Sequence, residues 1–286
     1  MAPPITQRSD QTISNLNALC ALAKPDPLIT SCWWSAPISA AAINTKSRFR
    51  ETRDIRRFHV AHASAAAHVD GMNTYTPTPR TKPVRRAQRA SYDKALVHAI
   101  LDEALCGTLA TIVDNEPFAQ PMIHARDGDD IILHGSSANR MLSALEAGAR
   151  ACLSVSLIDG LLLGRTVPDH SFQYRSVSVH GTCRAITNAS EKRARMRRVF
   201  DHIIAKRWET LPPVDEGYLG HVKVLILPLD ECVAKINAGV PDDVPGDPAH
   251  AVWSGIVPLA VQAGVPRPAP GPQPQPPSEV ARYTRT

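Results

Sequence analysis

Seven consecutive residues near the middle of the chain, His134 to Arg140 (HGSSANR), place a glycine, two hydroxyls and a guanidinium where an apolar run gives way to a helical pattern. That combination suits a phosphate. The first turn of a helix offers N–H groups without intrahelical partners and a partial positive charge; glycine lets the backbone come close, and arginine adds a charge-assisted fork. The same residues also read as an ordinary capped helix, in which Ser136 or Ser137 merely satisfies the first turn. A second polar cluster heads an alternating run: Tyr174, Ser176, Ser178 and His180 share one face, and Arg175, Val177 and Val179 share the other.

The elements that must position these residues follow from periodicity. Ser91 can cap a helix whose apolar positions Leu96, Val97, Ile100, Leu101, Ala104 and Leu105 recur at helical spacing, with Gly107 to stop it. Thr108 to Val113 and Phe118 to Ala125 read as a hairpin about the turn Asp114 to Pro117. Asp127 to Asp130 is a second turn, followed by a strand from Ile131 to His134. A short helix to about Glu146, closed by Gly148, leads to strands at 151–158, 174–186 and 222–227. A basic helix capped by Ser190 lies before the last of these. Many antiparallel strands with few helices point to a barrel.

Composition narrows the class. The chain has 286 residues, 25 of them proline, which crowd both ends. The periodic sequence gives one core domain over 85–265, a poorly ordered extension over 1–84 and a disordered Pro-rich tail over 266–286. Met72 is an alternative start. The net charge of +5 sits largely in unpatterned stretches, such as Arg80 to Arg89, that read as a solvated arm without a nucleic-acid motif. Six cysteines without a CxxC pair indicate neither a zinc site nor a disulfide framework, and a reducing cytoplasmic setting is expected. A metal-binding reading of His59, His62 and His68 needs further ligands held by a fold, and the competing reading is a disordered Ala- and His-rich tract. There is no G-x-G-x-x-G, P-loop, H-E-x-x-H or G-x-S-x-G motif, and no apolar run of membrane-spanning length. Asp169, His170 and Ser171 are adjacent in sequence, which seldom gives triad geometry.

Five ordered motifs carry a family resemblance: Gly107 to Thr111 (GTLAT) with Pro117 and Pro121 after it; Ile131 to Ser136 (IILHGS); Asp159 to Arg165 (DGLLLGR); His170 to Ser176 (HSFQYRS); and Val252 to Leu259 (VWSGIVPL). From about Ser91 to Val265 the chain resembles the pyridoxamine 5'-phosphate oxidase-related flavin proteins, the branch that includes nitroimidazole-resistance-type flavoproteins. The resemblance implies a mainly β fold, a six-stranded antiparallel split β-barrel with a few flanking helices, that forms a homodimer and holds flavin mononucleotide (FMN) between subunits. The FMN phosphate would meet Ser136, Arg140 and either Arg175 or Ser176, on the strand headed by Tyr174. The backbone of Leu109, Ala110 and Thr111 would run beside the flavin ring, and the indole of Trp253 would close the pocket. His134, Arg175 and Lys235 are candidate donors to the pyrimidine end of the ring, where a donor favours the reduced anionic flavin.

The implied function is an FMN-dependent oxidoreductase acting on a small organic substrate such as a nitro compound or quinone, with a nicotinamide (NADH or NADPH) or another external electron donor. The alternatives are a flavin-binding storage or sensing protein, or a haem-binding split barrel. Two departures argue against vitamin B6 oxidation. Asn237 stands where the family tends to carry arginine, and a proline-rich tail replaces the arginine- and histidine-bearing ending of the authentic oxidases.

Overall fold

The computed structural model describes residues 73–241 and 252–284. Ten strands form one antiparallel system: β1 (Ala90–Ser91), β2 (Cys106–Val113), β3 (Glu116–Asp127), β4 (Asp130–Ser136), β5 (Arg150–Leu163), β6 (Ser171–Thr182), β7 (Arg184–Ala185), β8 (Val222–Pro228), β9 (Glu231–Asn237) and β10 (Gly255–Pro258). The helices are α1 (Lys94–Glu103), α2 (Arg140–Glu146), α3 (Ala189–Ile203), α4 (Glu216–Gly220) and α5 (Ser278–Ala281). Strand order is β1-β9-β6-β5-β2-β3-β4-β8-β7, with β10 added to the end of β5. The fold is a mainly β split barrel.

The long strand β3 makes the barrel possible by changing partner midway. Glu116 to Ile123 pair with β2, and His124 to Asp127 pair with β4. Two short turns set these registers. Asp114 and Asn115 both have positive φ (51° and 64°), the backbone a two-residue hairpin of matching twist requires, and Gly128 (φ 63°) serves the next turn.

Alternation along the strands separates two cores. Leu109, Leu153, Val155, Val177 and Val179 point inward and are buried with Val97, Ile100 and Leu101 of α1. On the other side of β4 and β8, Ile132, Val224 and Ile226 pack beneath Met196 and Val199 of α3. Each fully buried side chain of this size stabilises the fold by about 1.5–3 kcal/mol relative to exposure.

The structure revises several expectations. The six strands become ten, because β1, β7 and β10 are too short to show a period and the mixed run of β9 (ECVAKIN) carries Lys and Ala, both depleted in strands. The run 174–186 is two strands, β6 and β7, broken at Cys183. Helix caps fall two residues from the expected serines: Asp93 accepts from Leu96 N at 2.8 Å, and Asn188 accepts from Glu191 N at 3.0 Å. Gly107 ends no helix; it lies in β2, where a Cβ would come within 2.9 Å of Leu153 Cδ1.

The fold also begins before residue 85. Tyr75 and Thr81 are buried, Thr74 bridges to Asp93, and the Tyr75 hydroxyl bonds His98 Nε2 and Asp129 Oδ1, both at 2.8 Å. The segment after Pro266 has a described path ending in α5, where Glu279 lies 3.9 Å from Arg207. The histidine cluster at 59–68, Cys20, Cys32 and the rest of 1–72 lie outside the described residues. Among the described residues no helix is long and apolar enough to cross a membrane, and no group of three or more His, Cys, Asp or Glu could hold a metal ion.

Candidate functional site

At the expected phosphate corner, β4 hands over to α2 through a turn whose donors are largely engaged. Ser137 N donates to His221 O at 2.8 Å, Asn139 N to Ser136 O at 2.9 Å, and Ala138 N to Ser136 Oγ at 3.2 Å. Asn139, rather than either serine, caps α2 by accepting from Leu142 N at 3.0 Å. Gly135 is needed for packing, since a Cβ there would lie 2.8 Å from Leu142 Cδ1. The Arg140 guanidinium reaches out from the corner to Asp114 at the β2–β3 turn, with side chains 62% and 75% exposed. A pair this exposed holds by about 1 kcal/mol or less, so a phosphate can displace the carboxylate. His134 is held below the ordinary imidazole pKa by burial, and its Nδ1 is buried without a hydrogen-bond partner.

The second cluster lies on β6. Val177 and Val179 are buried and the intervening polar residues half-buried, as the alternation predicts. Arg175 is not open to an anion in this arrangement. Its Nε and Nη2 donate to Asp159 at 2.9 and 2.7 Å, Nη2 donates to Glu103 Oε1 at 2.7 Å, and Nη1 donates to Glu103 Oε2. Hydrogen bonds donated to the Asp159 and Glu103 carboxylates hold the guanidinium even more firmly charged than usual. Ser176 Oγ donates to Lys235 O at 3.1 Å, and Tyr174 packs its ring on Phe172 with centroids 5.2 Å apart. Asn237, in the family's arginine position, is buried and donates to Phe172 O at 2.7 Å. The structure therefore does not bring Arg175, Ser176 and Tyr174 together with Ser136 and Arg140 as one set of free donors. Trp253 is 64% exposed and lies against Gly255, where a Cβ would meet its Cζ2 at 2.6 Å.

An open groove of about 460 Å³ crosses the outer face of β3, β2, β5 and β6. Ala110 and Thr111 line it, whereas the Leu109 side chain points into the core. Thr111 Oγ1 donates to Arg150 O at 2.8 Å. The volume lies within the roughly 300–1,000 Å³ of small-molecule sites. Ile112, Pro117 and Phe118 form one apolar end, next to the Asp114 turn that holds Arg140.

Arg80, Arg150 and His180 form the other end, a set not recognised from the sequence. Glu231 gathers them: its Oε2 accepts from Arg80 Nη1 and Arg150 Nη2, each at 2.9 Å, and its Oε1 accepts from Thr78 Oγ1 at 2.7 Å. The Thr78 hydrogen bond, with both guanidiniums behind it, holds this carboxyl below the usual range. Desolvation lowers His180, so its imidazole is neutral at neutral pH. The signal for His180 was its place on the polar face of β6. Arg80 had no local signal, because its segment folds onto β9 through tertiary contacts.

The class of protein is thus a split β-barrel with a polar-ended groove on the outside of its sheet. The chain belongs to the pyridoxamine 5'-phosphate oxidase family, whose model matches residues 93–236. Among solved structures it is similar to the flavocytochrome Anf3 from Azotobacter vinelandii: 32% identity, TM-score 0.69, covering 73% of this chain and 98% of that one. It is likewise similar to the FAD and haem binding protein from Mycobacterium smegmatis: 32% identity, TM-score 0.63, covering 66% and 94%. A 5-nitroimidazole antibiotic resistance protein from Bacteroides thetaiotaomicron matches at 20% identity and TM-score 0.45, covering 51% and 86%. Comparison with curated proteins found no match.

Proposed function

We propose that this protein is a flavin-binding redox protein that works as a homodimer and carries haem as a second cofactor. The observation that carries the reading is the groove along Ala110 and Thr111, the stretch of β2 expected beside a flavin ring, with the guanidinium of Arg140 reachable past the Asp114 turn. Support comes from two relatives of 32% identity, one named as a flavocytochrome and the other as binding FAD and haem. A flavin supplies the hydride and electron chemistry itself, and this chain binds and orients it. Ser136 and Arg140 would receive the phosphate end once Arg140 leaves Asp114. His134, a half-buried imidazole whose buried Nδ1 has no hydrogen-bond partner, is a donor or acceptor within the same corner.

The outer sheet face supports dimerisation. Cross-strand neighbours Pro121, Thr108, Ser154, Ser178 and Val233 form one row of small side chains on that face, beside the row Ala119, Ala110, Cys152, His180 and Glu231. Such a surface lets a second subunit approach closely and cover a planar ligand.

The first test is the absorption spectrum of the protein as purified, which is expected to contain both flavin and haem bands. Chromatography of the released flavin separates FMN, the form the resemblance implies, from FAD, the form named for the M. smegmatis relative. Arg140→Ala is expected to weaken flavin binding by about 1.5–3 kcal/mol, as for loss of a charged hydrogen bond, and an unchanged dissociation constant removes Arg140 from the site. Bleaching of the flavin by NADH or NADPH, followed by reoxidation with a quinone or nitro compound, distinguishes an oxidoreductase of small organic substrates from a storage or sensing protein.

A further inference from the structure

One short segment holds a concentration of positive charge that flavin binding leaves without a role. Residues 73–92 contain Arg80, Lys82, Arg85, Arg86 and Arg89 and no Asp or Glu, so this segment alone equals the net charge of +5 of the whole chain. It is held in place. Thr81 is buried, the Tyr92 hydroxyl donates to Thr81 O at 3.0 Å, and Thr78 and Arg80 both donate to Glu231 at the start of β9. Ala90 then pairs with Lys235 farther along that strand, so residues 80–90 form a strap along the outer edge of β9. Arg86, in left-handed backbone at φ 58°, turns the strap into the short 3-10 turn Ala87–Arg89. Lys82, Arg85 and Arg86 are exposed, Arg89 is half-buried, and Val84 stands wholly in solvent among them. Lys82, Arg85 and Arg89 make no ion pair among the described residues.

We infer that this strap is the docking surface for an acidic electron-carrier protein that delivers electrons to the flavin. The inference rests on the flavin reading and adds the partner and the surface it uses. A carrier must bring its redox centre close to the ring, and the strap is placed for that: Arg80 belongs both to it and to the lining of the groove, together with Arg150, Ala110 and Thr111. Arg80 and Arg150 share the single carboxylate of Glu231, so this end of the groove keeps a net positive charge. The shape of the patch fits a protein face better than a small anion, because its cations are spread over ten residues with Pro83 and Val84 between them instead of converging on one point. Electron-transfer encounters bury less than about 1,200 Å² and are steered by opposite charge, which such a patch supplies. The strap lies beyond β9 at the sheet edge, outside the rows proposed to meet the second subunit, so dimerisation leaves it open. The carrier gives up one electron per encounter; two encounters, with one proton taken up from water, convert the oxidised flavin to its anionic reduced form.

The test mixes the full chain, as purified, with a reduced acidic [2Fe–2S] ferredoxin in a stopped-flow spectrometer and measures the affinity of the two proteins separately by calorimetry. The rate of flavin reduction by the wild type is expected to fall about tenfold or more from low salt to high salt, as screening removes the attraction. The triple variant Lys82→Glu, Arg85→Glu, Arg89→Glu is expected to bind ferredoxin and be reduced by it at least tenfold more weakly at low salt, with the salt dependence gone. Its flavin content, far-UV circular dichroism and final extent of reduction by dithionite stay those of the wild type. If the triple variant folds poorly, Lys82→Gln with Arg85→Gln decides the matter, with a loss of about threefold or more expected at low salt. Equal rates and affinities in wild type and variants, or a wild-type rate that ignores salt, overturn the docking surface. So does a wild type whose flavin is reduced by dithionite but which neither binds ferredoxin nor accepts its electrons, and there the flavin reading stands. Binding of a DNA duplex that the charge reversals abolish, with ferredoxin binding untouched by them, gives the strap to nucleic acid and overturns the carrier. A wild type that holds no flavin overturns the reading beneath.

Discussion

Arg140 and Arg175 show how little a residue type says without its neighbours. Both guanidiniums are expected to meet an anion, yet one is held by a single exposed carboxylate and the other is locked between two. Displacing Asp114 costs little, whereas freeing Arg175 breaks two charged pairs in a partly buried place. Arg175→Ala is therefore expected to lower stability by about 1–3 kcal/mol, read as a fall in urea midpoint. Gly135 makes the same point at the corner itself. Leu142 is fully buried, so Gly135→Ala has no free space for its methyl and is expected to destabilise by about 1–3 kcal/mol in the same assay.

At the scale of elements, the N-terminal segment and α1 are held by one polar cluster. Tyr75, His98 and Lys94 all converge on Asp129 in the β3–β4 turn, and Lys94 Nζ reaches Oδ2 at 3.0 Å and lies 5.0 Å from the Tyr75 ring centroid. The Tyr75 hydrogen bond, followed by those of Lys94 and His98, holds the Asp129 carboxyl below its usual range. A carboxylate with a lowered pKa in the fold contributes stability that is complete above its unfolded pKa and fades as pH falls through the folded one. The melting temperature of the wild type is thus expected to exceed that of Asp129→Asn at neutral pH and to converge on it below about pH 4. The effect is modest because the Asp129 side chain is 51% exposed.

For the molecule as a whole, the boundary of the fold is itself a prediction. Tyr75 and Thr81 are buried and Thr78 reaches Glu231, so removing residues 1–84 deletes part of the core and the Arg80 side of the groove. That truncation is expected to cost about 3–5 kcal/mol, while a chain beginning at Met72 keeps the melting temperature of the full protein. Light scattering on the same preparations checks the homodimer. A monomer that keeps both cofactors would show that the small-residue face does not need a second subunit.

The amino-acid sequence by itself determined the barrel class, the principal strands and the inward–outward alternation, because period-2 burial and turn residues are local properties. Alternation put His180 on the polar, outward face of β6, and the resemblance named Ala110 and Thr111, which line the groove in the structure. The sequence did not reveal that Asp114 holds Arg140, that Glu103 and Asp159 enclose Arg175, or that Arg80 joins Arg150 and His180 across 100 residues of chain. Those partnerships depend on strand order and on the path of the N-terminal segment, which bring together side chains whose separation in sequence carries no period. The tertiary structure decided which charges are already satisfied, and so which end of the groove is left to bind.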